Sequence, residues 1–173
     1  MKKILNSLLI IGLLILLPGC GVINICNFIM PDDLEFLETV KSLDTPKKIS
    51  DYMIENFVHK AHYFIGLNPY QLYLTKKGDC NDFSLFGKFI ANYHDYQVYE
   101  INIIGNSLMT HYICVYEEEL SRGKYSLTTN QYYYSRYKTF RETVIRGAST
   151  VDMNWKKYIV YDYDNNIIEK GEK

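Results

Sequence analysis

The hydrophobic period of the chain changes at His94-Asp95, and that change limits the architectures open to it. Upstream, Thr45-Pro46 supplies a capping hydroxyl and a first-turn proline. Ile49, Met53, Phe57 and Ala61 then recur at helical spacing with Ile54 and Val58 beside them, which predicts a helix over 46–62. Asn68-Pro69 opens a short helical turn through Leu74. After Lys76-Lys77-Gly78, Phe83, Phe86, Ile90 and Tyr93 share one helical face, and this places Cys80 in the first turn of its helix. Downstream the period is that of strands. "YQVYEINIIG" and "THYICVYEEE" are rich in β-branched and aromatic residues, and "KYSLTTNQYYY" follows across a turn containing Arg122-Gly123. Residues 138–150 fit helix or loop, and "KKYIVYDYDNNIIEKG" predicts a closing hairpin turned at Asp164-Asn165-Asn166. Helices first and antiparallel strands afterwards define an α+β domain, N-terminal helices packed on an antiparallel sheet.

The first twenty residues set the compartment. Met1-Lys2-Lys3 precedes an apolar run from Ile4 to Leu17, too brief to span a bilayer, and then Leu17-Pro18-Gly19-Cys20. This pattern is an export signal, and its last four residues resemble a bacterial lipobox, with proline an unusual occupant of the second position. The resemblance implies that 1–19 is a lipoprotein signal peptide and that Cys20 becomes the lipidated first residue of an exported, membrane-anchored protein on the extracytoplasmic face. An ordinary signal peptide or an uncleaved anchor is the alternative. Residues 20–44 show no sustained period and are expected to hold the lipidated cysteine and a tether, although "DDLEFLETVKSL" could form a short helix.

The rest of the chain suffices for one domain. The net charge of the whole sequence, -1, with no basic stripe, excludes an electrostatic case for nucleic acid. Seventeen tyrosines gather mostly in the strand half, where their amphipathic rings suit half-buried strands and binding surfaces. Of Cys20, Cys26, Cys80 and Cys114, a lipidated Cys20 leaves three, so at least one thiol is expected to be free.

Cys80 stands out among them. At a helix start the unsatisfied backbone N–H groups and the helix dipole favour thiolate over thiol. A thiolate nucleophile needs a proton acceptor, itself oriented by a third group. His111, at the start of one strand, and Asn130, at the end of the next, become neighbours if residues 110–117 pair antiparallel with residues 124–130. The helix of Cys80 packed across that sheet then brings sulfur to imidazole, and a thiolate–imidazolium pair is expected.

"GDCNDFSLFGKFIANYHDYQVYEINIIG", "THYICVY" and "KYSLTTN", in that order, resemble the core of the transglutaminase-like superfamily over roughly residues 68–134. There a Gly-x-Cys precedes a helix, and a His and an acid or amide lie on successive strands. The resemblance implies a transglutaminase-like, papain-like domain over 45–173, with Cys80 as nucleophile, His111 as base and Asn130 as the orienting residue. Asparagine replaces the aspartate common in that superfamily and resembles the Cys, His and Asn set of papain-like enzymes; Thr129 stays open for the third role. The backbone N–H of Cys80 is the first candidate oxyanion donor, and Tyr70 or Gln71 the next.

The function these residues imply is a surface-tethered cysteine-nucleophile acyl transfer on amide bonds, of peptidase, amidase or transglutaminase type. Its partners are a peptide or protein amide substrate and, through lipid, the membrane; no cofactor, metal or nucleic acid is called for. The alternative is a catalytically inert transglutaminase-like binding module on the cell surface. A Cys80–Cys114 disulfide is the structural rival for the thiol, permitted by export. His59 and His62 stand at a metal-compatible spacing, but lack a Cys-x-x-Cys or His-Glu-x-x-His partner motif; Asp162, Asp164 and Asn165 lack the glycine and distal glutamate of a calcium loop. If the reading of Cys20 is right, intact-mass measurement on membrane-extracted protein will show loss of residues 1–19 and an added lipid. A soluble, unmodified mature form would refute it.

Overall fold

The computed structural model describes residues 28–62, 66–106 and 109–173. The lipobox-like stretch, Cys20 and Cys26 lie outside the described residues. The described chain is mixed α+β. Helices α1 (Leu34–Ser42), α2 (Pro46–Asn56) and α3 (Pro69–Thr75) come first, with short strands β1 (Val58–His59) and β2 (Lys77–Gly78) between and after them. Helix α4 (Cys80–Tyr93) leads into β3 (Val98–Gly105), β4 (Thr110–Leu120), β5 (Gly123–Thr129) and β6 (Tyr132–Tyr137); α5 (Phe140–Ser149), β7 (Trp155–Tyr161) and β8 (Ile167–Glu172) follow. Strands β3 to β8 form one antiparallel sheet in the order β6-β5-β4-β3-β7-β8, and β1 pairs with β2 in parallel.

Both faces of the sheet are covered, so strand alternation divides the apolar residues into two cores. On one face Val98, Cys114 and Tyr116 meet Phe83, Phe86 and Ile90 of α4, with Ile49 and Met53 of α2 and Leu72 of α3 completing the cluster. On the other, Ile101, Ile103, Ile113, Val115 and Leu127 receive Phe140, Val144 and Ala148 of α5. Helix α4 lies close to β4 because residue 87 is glycine: a Cβ there would stand 2.5 Å from the Tyr116 hydroxyl oxygen and 3.4 Å from Cys114 Sγ.

Several elements differ from the sequence expectation. The helix expected over 46–62 stops at Asn56, where Phe57 turns extended and caps onto Met53. Its continuation pairs with residues 77–78, so Phe57 is buried while Val58 is exposed. Pairing with β2 satisfies the backbone of residues 58–60, as when Lys60 N–H donates to Gly78 O at 2.8 Å. "KYSLTTNQYYY" is two strands, β5 and β6, joined at Asn130-Gln131, with Asn130 in the left-handed region at φ 49°. Gln131 ties that turn to α2: its side-chain amide donates to Met53 O at 2.7 Å and Phe57 O at 2.5 Å. Residues 138–150 resolve into α5, capped by Thr139. The closing hairpin lies where the sequence places it, its turn held by Asp162, which accepts from the Asn166 backbone at 2.8 Å.

Within the stretch expected to be tether, residues 34–42 form α1, capped by Asp33, and seat Phe36 and Val40 in the α4-side core at 0 % exposure. Phe36 also packs against the rings of Tyr70 and Tyr73, with centroids 5.1 and 4.9 Å away. Phe36→Ala should therefore lower the unfolding free energy by about 3–5 kcal/mol, as for a buried core phenylalanine, in a urea titration. A shift within error of zero would mean that α1 is not part of the cooperative unit.

Candidate active site

Asp79 caps α4: its carboxylate accepts from Asn81 N–H at 3.0 Å and Asp82 N–H at 3.4 Å, while Asp82 Oδ2 accepts from Asp79 N–H at 2.8 Å. This capping box holds Cys80 at the first helical position. Gly78 makes the box possible, because a Cβ there would meet Asp82 Oδ2 at 2.6 Å. Asp82 turns inward and is fully buried; its other oxygen accepts from Leu67 N–H at 2.6 Å, and His62 Nε2 lies 2.6 Å from Oδ2.

Cys80 is half-buried, and its thiol receives the backbone N–H of Tyr112, the residue after His111 on β4. Tyr112 precedes the first β4–β5 pair, Ile113 with Thr129, so sulfur sits beside β4 where β5 turns away into its hairpin. The thiol thus lies beside the peptide unit that carries His111. Burial pushes its pKa up to about 11, the Tyr112 N–H opposes this, and the Asp79 charge adds to it.

His111 is 3 % exposed, and burial, with a smaller contribution from the charge of His59, lowers its pKa to about 4. Burial thus favours the uncharged form of each group, thiol at Cys80 and imidazole at His111. Both shifts run against the expected thiolate–imidazolium pair, because desolvation opposes the charged forms that the helix end favours.

The tautomer of His111 follows from a chain of hydroxyls. Thr150, at the end of α5, donates to Gly147 O at 2.7 Å, and its Oγ1 lies 2.9 Å from Thr129 Oγ1. A hydroxyl has one proton, so Thr129 donates to Thr150 and accepts from His111 Nε2, 2.8 Å away. Nε2 then carries the imidazole proton, and Nδ1 is the basic nitrogen.

The orienting contact expected of Asn130 is thus made by Thr129. With Ile113 opposite Thr129, residue 129 shares the face of His111 and residue 130 has left the strand. Asn130 Oδ1 is buried without a hydrogen-bond partner among the described residues. Tyr70 is engaged elsewhere, and Gln71 is held by its carbonyl oxygen at the start of α3. The Tyr70 hydroxyl donates to Asp33 Oδ2 at 2.7 Å, and Gln71 Oε1 accepts from Asn68 N–H at 3.0 Å in the capping box of α3. Cys80 and Cys114 are both free thiols, so they form no disulfide; Cys114 is fully buried in the core. Trp155 is a core residue of the α5 side, whereas Tyr132 is exposed on the edge strand.

Two contributors have no motif in the sequence. Tyr112 acts through its backbone, which leaves no trace in residue type. His59 enters the site because the chain leaves α2 as a strand beside β2, with its ring 6.2 Å from that of Phe83. The groups best suited to a metal ion are His62, Asp79 and Asp82, with one ligand atom from each within 4.8 Å of the others. Their polar atoms serve the capping box and the 66–67 backbone. No protein-family model matches the chain, and no curated protein matches it in sequence.

The His111 shift makes stability depend on pH in a defined direction. The folded protein keeps His111 neutral down to about pH 4, while the unfolded chain takes up the proton near pH 6.5. The unfolded state binds more protons within that window, so stability falls as pH drops through it, by up to about 3 kcal/mol from this group. His111→Asn should lose less stability than wild type between pH 6.5 and 4 in paired denaturant titrations. Parallel curves would show that His111 titrates normally in the fold.

Proposed function

We propose that this protein is a cysteine-nucleophile acyl-transfer enzyme with a transglutaminase-like core, acting on peptide or protein amides at a membrane surface. Cys80 is the nucleophile, His111 the general base and Thr129 the residue that orients it. The observation that carries this reading is the pairing of functions on consecutive residues of β4. Tyr112 meets the Cys80 sulfur through its N–H, while His111 carries an imidazole whose Nε2 is engaged by Thr129, which leaves Nδ1 as the basic nitrogen.

With both groups neutral at rest, the chemistry is general-base catalysis. As sulfur attacks the carbonyl carbon, Nδ1 takes the thiol proton, and the other proton stays on Nε2, hydrogen-bonded to Thr129 Oγ1. The imidazolium then protonates the leaving amine, and water or a second amine resolves the thioester. The backbone N–H of Cys80 is the candidate donor for the oxyanion, since those of Asn81 and Asp82 are taken by the Asp79 carboxylate. The burial that keeps Cys80 protonated also protects it from indiscriminate alkylation.

An activated acyl probe tests this directly. Wild type should form a thioester on Cys80, detected by mass, and Cys80→Ala should form none. His111→Ala should slow acylation by about 100-fold or more, the ordinary scale of a positioned base. Thr129→Val should slow it less, Thr129→Ser should restore it, and Asn130→Ala should leave it near wild type. A folded wild type that never acylates would instead leave the inert binding module as the reading.

A further inference from the structure

Lys88 and Glu100 interrupt otherwise apolar stretches, "FSLFGKFIA" and "QVYEINII", and neither takes part in the Cys80 site. The α4-to-sheet packing brings them together: the Lys88 side chain is 0 % exposed and that of Glu100 6 %, with Nζ 3.7 Å from Oε2. Burying such a pair is costly, and apolar residues of the same size would often be more stable. A third group completes the arrangement. The β7–β8 turn places Asn165, itself half-buried, so that Lys88 Nζ donates to its side-chain Oδ1 at 2.8 Å. The Tyr163 ring, 5.8 Å from Nζ at its centroid, packs on the same core and helps to keep water from the amine.

We propose that Lys88, Glu100 and Asn165 form an autocatalytic cross-linking site, in which the lysine amine displaces ammonia from the asparagine carboxamide and leaves an isopeptide bond between α4 and the β7–β8 turn. Glu100 first takes a proton from the Lys88 ammonium. Burial raises the Glu100 pKa, opposed by the Lys88 charge, so the carboxyl holds that proton readily. Neutral Nζ then attacks Asn165 Cγ, forming the C–N bond as the carbonyl π pair moves to oxygen. Glu100 protonates the carboxamide nitrogen, and the carbonyl re-forms as that C–N bond breaks and ammonia leaves. The Glu100 carboxylate removes the extra proton from the new amide nitrogen. The products are one secondary amide, one ammonia and a neutral Glu100, with no change of oxidation level. The hydrogen bond already holds amine and carboxamide in contact, the proximity on which such intramolecular reactions depend. A neutral amide and a neutral acid replace the buried ion pair, which removes its desolvation cost.

Peptide mapping of the purified full-length protein under reducing conditions decides the matter. In wild type the cross-link blocks tryptic cleavage at Lys88 and joins residues 78–122 to residues 158–170 in one branched species, lighter by one ammonia than its two parts. Folded Glu100→Gln should give the parts separately, at full mass. Wild type that yields free peptides 78–88 and 158–170 at full mass overturns the proposal. So does ammonia loss confined to an unbranched 158–170 peptide, because that is succinimide formation at asparagine.

Discussion

Helix α4 can lie against β4 because Gly87 leaves room for the Tyr116 hydroxyl and for Cys114, and much of the remaining structure depends on that approach. A side chain at position 87 would push helix from sheet and loosen the core formed by Phe83, Phe86, Ile90, Val98 and Tyr116. The same contact sets the height of the helix along the strand. It brings Cys80 to the amide of Tyr112 at one end and Lys88 to Glu100 further along. Two chemically distinct clusters on one helix are thus registered by a single close packing.

Desolvation governs what these clusters can hold. At Cys80 and His111 it favours the uncharged forms, so an orienting group need not be charged either, and a threonine hydroxyl linked through Thr150 to the end of α5 suffices to choose the imidazole tautomer. At the start of α4, by contrast, the buried Asp82 is surrounded by donors: two backbone N–H groups and the His62 ring. Hydrogen bonds from these neighbours offset the burial of the Asp82 side chain, whereas at Cys80 the Tyr112 and helix-start N–H groups do not outweigh desolvation.

Local signals were legible where they act over one or two turns. Thr45-Pro46 and Asn68-Pro69 mark true helix starts, the period of Phe83, Phe86 and Ile90 marks the buried face of α4, and the Asp164-Asn165-Asn166 turn closes its hairpin. The helix from Pro46 is shorter than its apolar spacing implies, because the residues after Asn56 continue that spacing while their backbone pairs with β2, a partner about twenty residues away. Asn130 and Thr129 were indistinguishable for a related reason: adjacent residues point to opposite faces, and only the Ile113–Thr129 register says which one meets His111.

The sequence by itself determined the α+β order of elements, the cysteine at the start of a helix and the histidine at the start of a strand, because capping, periodicity and β-propensity are properties of neighbouring residues. The tertiary structure alone decided that α5 covers the second face of the sheet, that Thr129 holds the imidazole, that burial disfavours charge on the thiol and the imidazole, and that Lys88, Glu100 and Asn165 converge. Register, burial and the meeting of distant side chains arise from packing between elements, and no local pattern of residues encodes the dielectric or the neighbours that packing creates.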